Sequence, residues 1–266
     1  MYLDYWQLKA FPFESGASGD FYFTNEIRTM VADDIRDAIM RRKGIVALTG
    51  PIGCGKSTLT QRLLLSLPEE EIDIALITFS MLSSREMLEE ICTQLGLEPE
   101  ARDRNGLVHC LQTHMLRNAE RGRHTLVCID EAQSIASLDT FEELRLLLNF
   151  QLGENFLLTL FFIGQPELQD ILDKLPQLKQ RIALNLSLAN FNEETAIRYM
   201  LHRLRSAGCK QPMFTRQAVH AIFLQTHGVP RRINHLADRC LLVGMRNSAK
   251  LVDSKLVSDV AEHYPC

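Results

Sequence analysis

Five positions of this 266-residue chain have the types and spacing to cradle a row of phosphates. Gly50, Gly53, Gly55, Lys56 and Ser57 fit the pattern G-x-x-x-x-G-K-[ST]. A triphosphate needs several backbone N–H groups turned inward, so the backbone must bend tightly and approach the ligand closely. Glycine permits both, because it lacks a Cβ and tolerates positive φ. The whole turn, Gly50, Pro51, Ile52, Gly53, Cys54, Gly55, Lys56, Ser57 and Thr58, is therefore expected to line the phosphates. Lys56 adds a point charge near the β and γ phosphates, and Ser57 offers a hydroxyl to Mg²⁺. The expected ligands are ATP and Mg²⁺.

A second chemical landmark lies about 75 residues downstream. Thr125-Leu126-Val127-Cys128-Ile129 is an apolar run that ends in two adjacent acids, Asp130 and Glu131. Adjacent acids at a strand end can be solvated loop charges. Coupled to a phosphate loop they have a definite use: Asp130 joins the Mg²⁺ shell, and Glu131 orients and polarises the attacking water.

These residues need elements to hold them. Ile45 to Thr49 reads as a buried strand feeding the glycine turn, and a leucine-studded helix leaves it, running to Leu67. Further strands are expected at Ile74–Phe79, at Thr125–Ile129, at Phe156–Ile163 and, with looser alternation, at Ile182–Leu188. Between them lie helical patterns from Glu26 to Lys43, from Ser83 or Ser84 to Leu95, from Gly106 to Arg121 and from Leu138 to Phe150. Strands alternating with helices, without hairpin signals, predict an α/β fold built on a parallel five-stranded sheet covered on both faces. From Asn192 the texture changes to four helical patterns with no strand, so a small all-helical domain is expected over 191–266, after a phosphate-loop core over 1–190. The aromatic start, residues 1–23, reads as irregular and either packs on the core or walls a base pocket.

Composition excludes several classes. No apolar run approaches the length of a membrane span, and the N-terminus lacks the basic-then-apolar pattern of a secretory signal. Seven cysteines are scattered without a C-x-x-C pair, which argues for a reducing compartment and against structural zinc. The net charge of −4 hides an asymmetry: residues 171–266 carry 14 Lys/Arg against 7 Asp/Glu, while residues 1–170 carry 15 against 26. A basic small domain closing over an anionic nucleotide accounts for this, and so does a surface for DNA or another polyanion.

Taken together, these motifs resemble the AAA+ ATPases, and most closely the ExeA/GspA-like branch of general secretion pathway protein A and MSHA-biogenesis ATPases. The likeness is carried by Phe11-Pro12-Phe13, the phosphate loop, Asp130-Glu131-Ala132-Gln133, and Gly164-Gln165-Pro166-Glu167-Leu168. Further on it is carried by Gln177-Leu178-Lys179-Gln180-Arg181-Ile182 and Gly228-Val229-Pro230-Arg231-Arg232-Ile233-Asn234. The resemblance implies an AAA+ core followed by a helical lid. It implies that Gln165 senses the γ-phosphate, that Arg181 is a finger reaching a neighbouring subunit's nucleotide, and that Arg231, with Arg232 as its rival, ties the lid to the γ-phosphate. It further implies a homo-oligomer, ring or filament, that hydrolyses ATP to serve a secretion or pilus machine. Longer family members continue into a membrane span, whereas this sequence stops at Cys266, so a cytoplasmic protein is expected, held peripherally at the inner membrane through a partner and without direct membrane insertion. The competing expectation is a regulator of transposition that coats duplex DNA as an ATP-bound filament.

Overall fold

A computed structural model describes residues 2–14, 19–153 and 155–264. They form two compact units, one of Ile27–Pro51 and Leu59–Leu188, the other of Met1–Glu26, Ile52–Thr58 and Ala189–Cys266.

The first unit is built on a parallel sheet. Its strands are β1 (Ile45–Thr49), β2 (Ile72–Ile77), β3 (His124–Ile129), β4 (Leu158–Gly164) and β5 (Ile182–Ser187), in the spatial order β2-β3-β4-β1-β5. The inner strands β1, β3 and β4 are buried along their whole length, and they are the ones that read as unbroken apolar runs. The edge strand β5 alternates half-buried and exposed positions, which is why its sequence pattern is looser. Ile77, Val127, Ile129, Leu160 and Phe162 meet Met87, Leu88, Ile91, Leu111, Met115, Phe141 and Leu144 of the covering helices in one core.

The helices start where local chemistry allows. In α1 to α12 order they span Tyr2–Trp6, Glu26–Met40, Lys56–Leu64, Ser84–Gln94, Arg104–Glu120, Leu138–Leu147, Glu167–Asp173, Pro176–Lys179, Glu193–Ser206, Arg216–Thr226, Pro230–Arg246 and Ser254–His263. Ser83 caps α4 in a reciprocal box with Glu86, and Asp103 accepts from Gly106 N–H to cap α5. Pro176 opens α8 at the position where its missing N–H costs nothing. One departure from the sequence reading is a small antiparallel ribbon, Gln151–Leu152 with Asn155–Phe156, where no hairpin was expected. Two-residue strands are too short to show an alternation, and Phe156 belongs to the ribbon rather than to β4.

The second unit packs α9 to α12 around Met200, Leu204, Phe214, Ile222, Ile233, Leu236 and Leu241. The aromatic start belongs to this core. Tyr2–Trp6 is a short helix rather than irregular chain, and Tyr2, Trp6, Leu8 and Phe13 are buried. Trp6 Nε1 donates to the carbonyl of Leu241. Arg203 of α9 is only 2 % exposed. Its guanidinium donates to the carbonyls of Pro12 and Glu14 at 2.5 and 2.6 Å, and stacks 5.2 Å over Phe21. A buried cation is tolerated there because carbonyl oxygens and a ring face replace its water.

Among the described residues no helix is long and apolar enough to cross a membrane.

Candidate active site

The glycine turn has the backbone its sequence demands. Gly53 and Gly55 sit at φ +77° and +99°, the left-handed side that only glycine enters cheaply. Lys56 follows as the first residue of α3 and is only 6 % exposed, with Ser57 and Thr58 in the same first turn. The N–H groups of a helix's first turn have no partner within the helix, and they carry the positive end of its dipole. Gly50, at the exit of β1, donates its N–H to the carbonyl of Gly164, so the start of the turn is tied to the end of β4. Pro51, Ile52 and Cys54 complete it, Cys54 fully buried and Ile52 exposed.

Arg231 stands beside the turn. Its backbone N–H donates to the carbonyl of Gly53 at 3.3 Å, and a Cβ on Gly53 would lie 3.0 Å from Arg231 Cβ and 3.1 Å from Val229 Cγ1. Gly53 thus meets two demands, positive φ and close approach of α11. That α11 begins here follows from Pro230 at its first position.

The acidic pair ends β3. Asp130 N–H donates to the carbonyl of Ile77, which extends the ladder between β2 and β3 by one bond. Glu131 then leaves the ladder in the left-handed region, φ 50°, unusual for a residue with a side chain. Its own N–H is taken by Asp130 Oδ1 at 2.9 Å, and its carbonyl accepts from Ser80 Oγ at 2.8 Å. The carboxylate is exposed yet held. Its Oε2 accepts from Gln133 Nε2 at 2.6 Å and from Gln165 Nε2 at 3.2 Å. Gln165 follows directly on β4, so the structure brings it to Glu131. Gln133 was not singled out by sequence reasoning as a site residue. Its only sequence signal is an amide two positions after an acidic pair.

Arg181 lies elsewhere in the same unit. It precedes β5, level with Gly44, whereas Asp130 follows Ile129, which is in register with Phe162 and through it with Ala47. Four residues along the strands and three strands across put Arg181 roughly 20 Å from the acidic pair. Its guanidinium donates to Asn149 Oδ1 at 2.7 Å and to the carbonyl of Arg145 at 3.5 Å.

A parallel sheet with a glycine turn after one strand, an acid pair after a second and an amide after a third defines a phosphate-loop nucleotide-binding fold. Comparison with known proteins gives the family. A family model described as AAA domain matches residues 39–172. The chain belongs to this AAA domain family, and it is similar in sequence to a general secretion pathway protein. General secretion pathway protein A of Aeromonas hydrophila is 34% identical over 257 residues, which is 95% of this chain and 46% of that protein. An HTH-type transcriptional regulator of Methanocaldococcus jannaschii is 28% identical over 139 residues, 50% of this chain and 34% of the relative. The chain thus spans less than half the length of either relative. Among solved structures, Aeropyrum pernix ORC2 superposes with TM-score 0.70 at 15% identity, covering 96% of this chain and 71% of that one. The Thermotoga maritima RuvB Holliday junction branch migration motor superposes with TM-score 0.60 at 19% identity, covering 94% and 73%. These structural likenesses speak to the fold. Family and fold together make the chain an ATPase-type nucleotide-binding protein.

Proposed function

We propose that the protein binds and hydrolyses Mg-ATP in a homo-oligomer, and that the resulting motion drives or regulates the assembly of a larger machine, on the pattern of secretion and pilus assembly ATPases. The observation that carries this reading is Lys56, a buried lysine directly behind two left-handed glycines. The N–H groups of that first helical turn and a lysine beside them favour an anion with several oxygens, which a row of phosphates supplies.

In this reading residues 50–58 hold the phosphates, Ser57 and Asp130 hold the magnesium, and Arg231 reads the γ-phosphate from the helical lid. The magnesium, when bound, supplies charge neutralisation on the phosphates. Glu131 orients a water, and Gln165 holds Glu131. The roughly 20 Å between Arg181 and its own chain's Asp130–Glu131 pair supports a use in trans, and in this reading turnover depends on assembly. Functionally the chain divides near residue 190 into ATPase core and lid, with the aromatic start as part of the lid's packing. The protein is cytoplasmic in this reading, held at the inner membrane through a partner, and the 34% identity to general secretion pathway protein A supports a place in secretion.

The test is nucleotide uptake. The wild-type protein is expected to bind a fluorescent ATP analogue in the micromolar range, about −8 kcal/mol, and Lys56→Ala to lose at least a hundredfold of that affinity. No uptake by the wild type ends the ATPase reading. Arg181→Ala is expected to bind ATP normally and to lose turnover, and mixing it with Lys56→Ala subunits, whose Arg181 is intact, restores part of the rate. Retardation of duplex DNA that requires ATP and weakens with salt would move the reading to the DNA-linked alternative.

A further inference from the structure

We propose that Gln133 is a positioning residue for hydrolysis: its side-chain amide locks the Glu131 carboxylate to the end of β4. This rests on the ATPase reading for its consequence, but the lock itself is a property of the chain without nucleotide.

The geometry is specific. Gln133 sits in the 3-10 turn Ala132–Ser134, which closes on Glu131 through Ser134 N–H to the Glu131 carbonyl at 2.8 Å. On one side its Nε2 donates to Glu131 Oε2 at 2.6 Å. On the other its Oε1 accepts from the backbone N–H of Gln165 at 3.0 Å. An ionised carboxylate only accepts and a backbone N–H only donates, so these two neighbours fix which end of the amide faces which. Glutamine is the side chain that can satisfy both at this reach. Glutamate would set two carboxylates against each other, and an apolar residue would satisfy neither.

Gly164 leaves the room this needs. A Cβ there would stand 2.7 Å from Gln133 Oε1 and 2.8 Å from Leu168 Cδ2. Gly164 has ordinary backbone angles among the glycines of this chain, so close approach, not positive φ, is what calls for glycine. Gln165 Nε2 completes the arrangement by donating to the same Glu131 oxygen at 3.2 Å. Two amides therefore converge on Oε2. One of those amides also grips the backbone that carries the other. A displacement of Gln165 is transmitted to Glu131 through Gln133, so the residue couples the polar exit of β4 to the carboxylate that orients the attacking water.

Three variants separate this from a merely structural role. Gln133→Ala removes both halves of the lock. It is expected to lower kcat about ten- to hundredfold, the loss of one hydrogen bond to a charged group. KM, the affinity for a non-hydrolysed ATP analogue and the melting temperature should stay near wild type. Gln133→Glu keeps an acceptor for Gln165 N–H but repels Glu131, so it should lose turnover at least as severely. Gly164→Ala should resemble Gln133→Ala by crowding the amide out. The second readout needs no nucleotide: hydrogen exchange of the Gln165 amide should accelerate in Gln133→Ala and Gly164→Ala and remain slow in Gln133→Glu. Unchanged Gln165 exchange in Gln133→Ala overturns the lock. A changed exchange with wild-type kcat overturns its catalytic use. A wild-type protein that neither binds nor hydrolyses ATP would instead overturn the ATPase reading and leave the exchange result to decide the lock.

Discussion

The same parallel sheet carries a polar cluster at each end, and the two are built oppositely. Past the C-terminal ends of β3 and β4, Asp130, Glu131, Gln133 and Gln165 leave an exposed carboxylate on a left-handed residue, with both amides serving one of its oxygens. At the other end the polar groups are closed on one another. Asp73 of β2 lies 2.6 Å from His114 Nε2 and accepts from Asn118 Nδ2 at 3.0 Å, and Asn118 also donates to Thr125 Oγ1 at 3.1 Å. One strand over, Thr159 Oγ1 gives its only proton to the carbonyl of Lys43, so it accepts from His124 Nε2, 2.8 Å away. Asn118, His124, Thr125 and Thr159 are all buried. A closed, buried network contributes stability. A strained, solvent-facing carboxylate costs stability and is useful only where chemistry needs it.

The largest expected effect tests that contrast directly. Glu131→Gln keeps size and most contacts but removes the charge that, in the proposed mechanism, polarises water. Turnover should fall by about 10²–10⁴, with ATP affinity retained and the melting temperature unchanged or slightly raised. A single-turnover assay beside a thermal melt checks both. Near-normal turnover would place the water-orienting group elsewhere and dissolve the contrast between the two ends.

What could be read from the sequence divides along a similar line. The glycine turn, the helix start at Lys56 and the acid pair after β3 were legible as local features because each is contiguous in sequence. The inner strands were legible because burial on both faces forces an unbroken apolar run, as in Leu126-Val127-Cys128-Ile129. Gln133 was not, because its partner Gln165 lies 32 positions away, and only the β3–β4 pairing brings them together. Arg203 was opaque for the same reason. It sits in a helical stripe like any surface arginine, and its acceptors, Pro12 and Glu14, come from the other end of the chain. The aromatic start could equally have walled a nucleotide base. Its burial against α11 rests on contacts such as Trp6 with Leu241, more than two hundred residues apart.

A second effect belongs to the closed end and should appear on acidification. Burial, helped by the nearby Arg42 charge, holds the His124 pKa down to about 4. The imidazole is therefore neutral in the fold, while in the unfolded chain it protonates below about pH 6.5. The unfolded state binds the extra proton, so this contribution is complete above pH 6.5 and is lost as pH falls toward 4, a change on the order of 3 kcal/mol at most. Asp73 acts in a lower window. The hydrogen bond from His114, then that from Asn118 and the charge of Arg123, hold its carboxyl below the ordinary value against the opposing effect of burial. Its contribution is present above that ordinary value and is lost as pH falls through the folded one. Denaturant unfolding from pH 7 to 3 should show two steps. His124→Gln should remove the upper step and Asp73→Asn the lower. One smooth decline unaffected by His124→Gln would mean the histidine is not buried neutral.

The smallest effect is the sharpest separation of the two ends. Asn118→Ala deletes the amide that donates to Asp73 and to Thr125, leaving a half-buried carboxylate short of one donor and a buried hydroxyl without its partner. Removing one side of such a network costs about 2 kcal/mol, because the remaining groups keep their desolvation penalty. In a unit of this size that lowers the melting temperature by a few degrees. Asn118 and Glu131 are separated by the length of β3, whose six residues are all buried. Couplings between sites that far apart and without common partners are usually within about 0.5 kcal/mol. Asn118→Ala should therefore leave kcat and KM within about twofold of wild type at a temperature where both variants are folded. A proportionate loss of turnover would show that the closed network tensions the strand that presents the acids, and that the sheet transmits between its ends.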